Sequence, residues 1–172
     1  MSSDPPDSNV IGSPRQPQSD LEAQQSPLPQ EATRDQGRHA VVGILFEDRR
    51  FLVIRRSQFV RAPGLICFPG GGIELGEDLE TAVKRELVEE LNLPVEVVAH
   101  VWTSQTRWGT RLEWLVCRRD PNHEPSPNLL EVQEVLWMSV DMLQDREDLL
   151  GSMPEFLSAV RAGKFSDHFQ NA

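Results

Sequence analysis

Runs of apolar residues divide the chain after residue 37 into short strands and one strong helix. Residues 39–46 form a nearly continuous apolar run, which is typical of a buried strand. Residues 47–50 are polar and residues 51–54 are again apolar, so these segments predict a hairpin. Residues 65–68 predict a third short strand, which leads into consecutive glycines.

The strongest helix signal covers residues 78–91, which are mostly strong helix formers, start with acids and contain no Gly or Pro. Asn92 suits the left-handed conformation that often ends a helix, and Pro94 prevents the helix from continuing. Further strands are predicted at residues 95–104, 111–117 and 135–138, and shorter helices at residues 140–143 and 154–162.

This order of elements predicts the fold class. Strands on both sides of one strong helix indicate an α+β fold, an α/β/α sandwich in which helices flank a mixed β-sheet. Residues 1–37 differ from the rest because they are rich in Pro, Gln, Ser and Asp and contain no aromatic residue. Such a segment cannot bury enough apolar surface to offset its ordering entropy. We therefore predict a disordered tail at residues 1–37 and one folded domain at residues 38–172.

The formal net charge of −10 narrows the range of partners. This charge argues against binding to a nucleic-acid polymer, because proteins that bind nucleic acids usually carry a basic surface. It also argues against binding to an anionic membrane. No apolar run approaches the roughly 18 residues that span a bilayer. The N-terminus lacks the basic and apolar regions of a secretory signal, so we expect a cytoplasmic protein.

The two cysteines, Cys67 and Cys117, lie in apolar surroundings. They form no CxxC pair and have no cluster of histidines beside them, which argues against a zinc site. We favour the interpretation that both are buried free thiols, and a disulfide between them is the alternative.

Two carboxylates of the predicted helix fall on its apolar face. At about 100° per residue, Glu86 and Glu90 lie inside the apolar stripe, and Glu89 lies at its edge. The stripe consists of Leu79, Ala82, Val83, Leu87 and Leu91. Buried carboxylates need a compensating cation, for which a divalent metal with oxygen ligands is suited. Arg85 can pair with Glu89 one turn later, so a metal site and a structural salt-bridge network are both open.

The spacing of these residues resembles the signature of the Nudix hydrolase family, G-x5-E-x7-R-E-U-x-E-E-x-G-U, in which U is a bulky aliphatic residue. The chain matches it from Gly71 through Glu77 to the segment at residues 85–93. The one departure is Asn92, which replaces a glycine in the turn after the helix. Because Asn tolerates the left-handed conformation, the departure affects the turn and not a ligand. The resemblance extends over residues 38–164 and implies the Nudix fold.

By this resemblance, the helix glutamates bind the metal and take part in catalysis. Glu86, Glu89 and Glu90 match the family's metal-binding positions, and Gly70 matches the residue whose carbonyl supplies a backbone ligand. The implied cation is Mg²⁺, with Mn²⁺ as an alternative.

The resemblance also assigns residues around these ligands. Arg85 matches the arginine that orients a glutamate, and Gly71 and Glu77 match supporting positions in the preceding loop. The general base varies within the family, being either a helix glutamate or a carboxylate of a later loop. Glu131 and Glu134 are the later candidates in this chain, although a solvated strand edge would equally explain them.

Several residues outside the signature are candidates for substrate binding. Arg56 and Arg61 precede the glycine-rich turn and are candidates for phosphate binding. Trp102, Trp108 and Trp114 follow the helix in sequence. Core packing is expected for at least two of them, and one could stack on a base.

The resemblance implies a metal-dependent pyrophosphohydrolase that cleaves the diphosphate linkage of a nucleoside diphosphate joined to another moiety. A nucleoside triphosphate, including an oxidised one as in mutator-type members, is the leading substrate. Coenzyme A, ADP-ribose, a nucleotide sugar and a dinucleotide are alternatives.

Two other functional classes are open, a noncatalytic nucleotide-binding module and an isomerase of isoprenyl diphosphates. The complete set of signature glutamates argues against the first, and the apolar cysteines argue against the second. The sequence does not fix the oligomeric state.

Overall fold

The computed structural model describes residues 38–169. In chain order the elements are β1 (His39–Ile44), β2 (Phe46–Glu47), β3 (Arg50–Arg56), β4 (Ile66–Cys67), α1 (Leu79–Leu91), β5 (Val95–Gln105), β6 (Arg111–Arg119), β7 (Val132–Met138), α2 (Val140–Gln144) and α3 (Met153–Arg161). Every segment predicted to be a strand or helix contains an element of that type. The predicted tail at residues 1–37 lies outside the described residues. No helix within residues 38–169 is long and apolar enough to cross a membrane.

The strands form two sheets with both parallel and antiparallel pairs. Strand β6 pairs in parallel with β1 on one side and antiparallel with β5 on the other. In the second sheet, β3 pairs antiparallel with β2, β4 and β7. The predicted class, an α+β sandwich with mixed strand directions, is confirmed, and the strands divide between two sheets.

The hairpin predicted from the first two apolar runs is shorter than those runs. Strand β1 ends at Ile44 and pairs with β6, and only Phe46–Glu47 pairs with β3. Asp48 and Arg49 form the turn with positive φ angles of 48° and 63°. Positive φ at both central residues suits the twist of a two-residue hairpin. The break is invisible in the sequence pattern because apolar residues continue through residues 44–46.

Side chains of β3 alternate between two apolar cores. Phe51 and Val53 belong to an aromatic core that includes residues of α2 and α3, whereas Leu52 and Ile54 belong to a second core with α1. Alternate residues of a strand point to opposite faces of the sheet. Helices therefore cover both faces of the sheet layer, as a sandwich requires.

Helix α1 begins and ends as the sequence predicts. The carboxylate of Asp78 accepts a hydrogen bond from the backbone N–H of Thr81 at 2.7 Å, which caps the first turn. Asn92 ends the helix in the left-handed conformation, with φ 48° and ψ 39°. The apolar stripe packs into the second core, with four fully buried members, Ala82, Val83, Leu87 and Leu91.

The two cysteines are free and buried, as the sequence favours. Burial raises the pKa of Cys67 to about 11 and that of Cys117 to about 12. Neither thiol is activated as a nucleophile, which weighs further against an isomerase that depends on a cysteine.

Candidate active site

Helix α1 carries two glutamates into the interior beside the glycine-rich turn. Glu86 and Glu90 are only 9% and 5% exposed. The Oε2 atom of Glu90 accepts a hydrogen bond from the backbone N–H of Gly70 at 2.9 Å. A Cβ atom on Gly71 would lie 2.4 Å from Oε1 of Glu86. Both carboxylates therefore lie against the backbone of the turn, on the apolar face where the sequence places them.

The turn itself is held by β1. The backbone N–H of Val41 donates to the carbonyl of Gly71 at 2.9 Å. Gly70 has a φ of 143°, and a Cβ atom there would lie 2.2 Å from the carbonyl oxygen of Val41. A side chain at Gly70 would therefore collide with backbone, which is difficult to move. Gly70 contributes its N–H to Glu90, and the metal ligation by its carbonyl stays a prediction.

Arg85 links the acids of the motif. Its guanidinium donates to both carboxylate oxygens of Glu77, at 2.9 and 3.0 Å. It also donates to Glu86 at 2.9 Å, to Glu89 at 3.0 Å and to the carbonyl of Gly72 at 2.8 Å. The sequence predicts the pairing with Glu89 alone. A salt-bridge network is therefore present, and the planar guanidinium of Arg85 fixes the orientation of Glu86.

Burial and like charge act together on these carboxylates. Burial raises the pKa of Glu90 to about 8, and the charges of Glu86 and Glu131 raise it as well. The N–H of Gly70 and the charge of Arg56 oppose these effects. Burial also raises the pKa of Glu86. Carboxylates that destabilise each other's charge are stabilised by a cation between them.

The two candidate carboxylates of the later loop differ in position. The loop before β7 contacts the end of α1, where the N–H of Asn128 donates to the carbonyl of Glu90 at 2.8 Å. Glu131 lies in this loop, and its charge raises the pKa of both buried helix glutamates. Glu134 lies in β7 and accepts a hydrogen bond from Arg55 at 3.2 Å. Glu131 is therefore the candidate beside the helix glutamates.

Residues 37–160 match the model of the NUDIX domain. The chain belongs to the Nudix family. A MutT-like protein of Streptomyces ambofaciens is 35% identical over 122 residues, which cover 69% of this chain and 75% of that protein. A mouse peroxisomal coenzyme A diphosphatase is 34% identical over 92 residues, which cover 51% of this chain and 39% of that protein. The chain thus spans most of the first relative but well under half of the second.

Solved structures of Nudix proteins share the fold. The MutT Nudix hydrolase from Burkholderia pseudomallei superposes with a TM-score of 0.60 at 23% identity, covering 72% of this chain and 97% of that chain. The MutT protein from Methanosarcina mazei Go1 gives a TM-score of 0.64 at 20% identity, covering 74% and 95%. These similarities confirm the predicted Nudix fold. The match to the NUDIX domain and the MutT-like relative confirm an enzyme of the Nudix pyrophosphohydrolase class.

The Nudix motif of this chain supplies the right donor type for a divalent cation. Glu86, Glu89, Glu90 and Glu131 offer carboxylate oxygens, which Mg²⁺ and Mn²⁺ prefer. Within residues 38–169, no three His, Cys, Asp or Glu side chains are already grouped closely enough to hold an ion. The side chain of Glu89 is 50% exposed, and the hydrogen bond that it accepts from Arg85 is open to solvent. The donor types therefore fit a divalent ion, and these side chains would have to move closer together to hold one.

The two arginines predicted to bind phosphate lie near the Nudix motif. Arg56 lies close enough to Glu90 for its charge to lower the pKa of that carboxyl. Its Nε atom donates to the backbone carbonyl of Arg61 at 2.7 Å, which holds the intervening loop. Arg61 itself is exposed. Arg56 is thus near the acids, and Arg61 lies farther out on the loop.

The tryptophans divide as the sequence predicts, with two in the core. Trp114 is buried and stacks on Phe156 with ring centroids 4.6 Å apart. Trp102 packs beside Trp114 at 5.4 Å. Trp108 is different because it is 59% exposed. It is the member of the three that a ligand can reach.

A second polar cluster, which no motif in the sequence marks, surrounds Glu113 of β6. This carboxylate is 1% exposed, and Thr103 donates to it at 2.6 Å and Arg111 at 2.6 Å. His39 and His100 contact it through their Nε2 atoms at 2.7 and 2.8 Å. The available signal is the single acid inside the apolar run of residues 112–117. Such an acid requires several polar partners.

Proposed function

We propose that this Nudix enzyme hydrolyses the diphosphate linkage of a nucleoside diphosphate joined to another moiety, with Mg²⁺ as its cation and Mn²⁺ as an alternative. The observation that carries the proposal is the burial of Glu86 and Glu90 against the glycine-rich turn. Two buried carboxylates with raised pKa values, in one acidic cluster, are suited to bind a divalent ion. A noncatalytic module would have no need to retain the full set of acids.

Four groups of the chain would hold the cation: the carboxylates of Glu86, Glu89 and Glu90, and the carbonyl of Gly70. When bound, the ion neutralises phosphate oxygens, lowers the pKa of a water molecule and stabilises the leaving phosphate. Arg85 keeps Glu86 oriented towards the turn and balances part of the acidic charge. Glu77, which receives two hydrogen bonds from Arg85, fixes the guanidinium in place.

We assign Glu131 as the group that accepts the proton of the attacking water. Its loop is joined to α1 by the hydrogen bond from Asn128 to the carbonyl of Glu90. Its carboxylate accepts a hydrogen bond from the side chain of Asn128 at 3.3 Å and receives none from Arg85. Glu131 is therefore close to the helix glutamates without being held by the arginine. Arg56, near Glu90, would bind a phosphate oxygen of the substrate.

The leading substrate is a nucleoside triphosphate, including one with an oxidised base. The resemblance to mutator-type members supports this choice, and a MutT-like protein is among the relatives. The names of other relatives give other substrates. One is a coenzyme A diphosphatase, and another is the RNA pyrophosphohydrolase of Actinobacillus pleuropneumoniae, which is 34% identical over 52% of this chain and 43% of that protein. Exclusion of nucleic-acid polymers and location in the cytoplasm therefore stay predictions.

The test is a substrate panel with products identified by mass. Nucleoside triphosphates, oxidised nucleotides, ADP-ribose, dinucleotides, coenzyme A and a 5′-triphosphate RNA are incubated with the full chain and Mg²⁺ or Mn²⁺. We expect cleavage at a diphosphate linkage that stops when a chelator removes the metal. Glu90→Gln should lower kcat by at least about 10²-fold while the protein stays folded.

The matched control is Glu80→Gln on the same helix. Glu80 is exposed and pairs with Lys84, so its substitution should leave activity unchanged. Cleavage that persists in Glu90→Gln without metal would refute the assignment of the site. Absence of both cleavage and metal binding in the parent protein would overturn the proposed function.

A further inference from the structure

A cleft of about 630 Å³ opens beside the glycine-rich turn. Gly71 and Gly72 form one wall, and Trp108, from the loop between β5 and β6, lines the cleft as well. Its remaining polar or charged lining residues are Arg38, His39, Arg61, Thr106 and Thr110. The cleft therefore joins an exposed aromatic ring to the turn that contacts the acids.

The loop that carries Trp108 is an ordered turn. The N–H of Thr106 donates to the carbonyl of Thr110 at 2.9 Å, and the N–H of Gly109 donates to the carbonyl of Thr106 at 2.9 Å. The hydroxyl of Thr106 accepts a third bond, from the N–H of Thr110 at 3.1 Å. These bonds close the loop on itself, so the backbone that carries the indole is held in position. A rigid aromatic ring loses little entropy on binding.

One face of this indole is already occupied. The guanidinium carbon of Arg107 lies 4.0 Å from the centroid of the Trp108 ring, a cation–π contact. Because Trp108 is nevertheless 59% exposed, a flat ligand has access to the opposite face. A planar ligand ring would therefore stack on the face of the indole opposite Arg107.

The charge of the cleft differs from that of the whole chain. Its described lining includes Arg38 and Arg61 and no acidic residue, although the chain has a net charge of −10. His39 also faces the cleft, and the buried carboxylate of Glu113 holds its ring at 2.7 Å. Local cations in an acidic protein favour an anionic ligand. The cleft thus combines a stacking surface with cationic side chains.

The cleft and the acids share the backbone of the turn. Gly71 lines the cleft and also contacts the carboxylate of Glu86, since no Cβ atom separates them. Gly72 lines the cleft, and its carbonyl accepts a hydrogen bond from Arg85 at 2.8 Å. A ligand whose ring rests on Trp108 would therefore extend its phosphates over Gly71 and Gly72 towards the acids.

We propose that Trp108 is the stacking platform for the nucleobase of the substrate, with Arg61 beside the phosphates. The inference rests on the proposed function, because it names the part of the substrate that the cleft recognises. Trp108 is a binding residue here and not a catalytic one. Base stacking on an aromatic ring tolerates any base, since each has a flat π-face. The cleft accordingly selects nucleotides from other phosphate compounds.

The test compares ligands that differ only in the base. Calorimetry with the full chain and Mg²⁺ measures binding of AMP, GMP, CMP, UMP and ribose 5-phosphate, none of which contains a diphosphate bond. At least one nucleotide should bind more tightly than ribose 5-phosphate by about 5- to 150-fold, the range for one base–aromatic stack. Trp108→Ala should remove that difference, Trp108→Phe should retain most of it, and both should bind ribose 5-phosphate like the parent.

Met142→Ala in α2 is the matched control, because Met142 is 51% exposed and does not line the cleft. For the nucleotide that the enzyme cleaves, Trp108→Ala should raise KM with little change in kcat, as expected for loss of uniform binding. Nucleotide binding as tight in Trp108→Ala as in the parent would overturn the inference, as would equal binding of ribose 5-phosphate and all four nucleotides. Trp108-dependent binding without cleavage of any diphosphate would support the subsite and refute the proposed hydrolysis.

Discussion

Gly71 lies against Glu86 so closely that a Cβ atom on the glycine would come 2.4 Å from Oε1 and 2.5 Å from Oε2 of the carboxylate. A Cβ atom on Gly70 would meet a different group, the backbone carbonyl oxygen of Val41, at 2.2 Å. The two adjacent glycines are therefore required for different reasons. Gly71 leaves room for an acid of the site, whereas Gly70 lets the turn pack on β1.

Gly71→Ala should impair catalysis more than folding. The new methyl group meets the end of a flexible side chain, so Glu86 can move aside and the backbone is retained. Because a displacement of about 1 Å can cost about 10²-fold in rate, we expect kcat/KM to fall by about that factor. Steady-state kinetics on the cleaved substrate and thermal unfolding of the same samples would measure the two effects.

Two further alanine variants test whether the effect of Gly71→Ala on catalysis is separate from folding. Gly70→Ala is the variant expected to destabilise the fold, and Gly151→Ala is the control. A residue at Gly70 must adopt a φ of 143° and collide with backbone, so Gly70→Ala should destabilise the fold by at least about 1–3 kcal/mol. Gly151 has no atom within 4 Å of its Cβ position, and its alanine variant controls for the entropy of the unfolded chain. Loss of stability in Gly71→Ala equal to that in Gly70→Ala would contradict the distinction.

The local part of the site could be predicted from sequence because its determinants lie within one helix. A period of about 3.6 residues places Glu86 and Glu90 on the apolar face, and both are buried in the structure. Asp78 and Asn92 mark the helix ends through capping, which depends on neighbouring residues alone. The order of strands and helices follows from the same local patterns.

The long-range part could not be predicted because it depends on which strands pair. His39 and Glu113 are 74 positions apart and meet only because β1 lies beside β6 in register. The periodicity of α1 shows Arg85 beside Glu89, but it does not show Glu77 folding back from the loop. The exposure of Trp108, likewise, depends on a turn whose hydrogen bonds no residue pattern reports.

Arg85→Lys should weaken catalysis although the charge is kept. The guanidinium donates at once to Glu77, Glu86, Glu89 and a backbone carbonyl, and an ammonium group cannot reproduce this planar fork. Removal of a positioning partner of this kind typically costs about 10- to 100-fold in metal affinity or activity. We expect a loss of that size in kcat/KM and a higher metal concentration for half-maximal rate.

Lys84→Met is the matched control for Arg85→Lys, since Lys84 is the neighbouring cation and pairs only with the exposed Glu80 among the contacts of the described chain. It should leave the metal dependence unchanged. Normal kinetics and normal metal dependence in Arg85→Lys would show that the fork does not orient the acids.

Glu131→Gln and Glu134→Gln should separate the two candidate bases. Glu131 acts electrostatically on Glu86 and Glu90, whereas Glu134 pairs with Arg55 in the sheet. Loss of a general base typically costs about 10²- to 10⁴-fold, so Glu131→Gln should lower kcat by that range with the metal dependence retained. Glu134→Gln should change kcat by less than about threefold, within the effect of a surface ion pair. The opposite ranking, measured under saturating substrate, would transfer the role to Glu134.

The pH dependence of stability should depend on Glu113. Burial alone raises the pKa of this carboxyl, but hydrogen bonds from Thr103, His39, Arg111 and His100 outweigh burial and hold the pKa at about 2. The folded value is thus below the ordinary value of 4.5. Stabilisation from such a group is complete above pH 4.5 and is lost as the pH falls towards 2.

Glu113→Gln should therefore differ from the parent protein most at neutral pH. The pKa shift corresponds to about 3 kcal/mol of unfolding free energy, the upper limit of the pH-dependent part of the gap between the two proteins. Urea unfolding at intervals from pH 7 to pH 3 would measure this gap, which should narrow steadily below about pH 4.5. Glu80→Gln, on an exposed face of α1, should show no such narrowing. A gap for Glu113→Gln that is constant across this range would contradict the lowered pKa. It would mean that the carboxyl of Glu113 has the same pKa in the folded and unfolded protein, so that Glu113 contributes by packing alone.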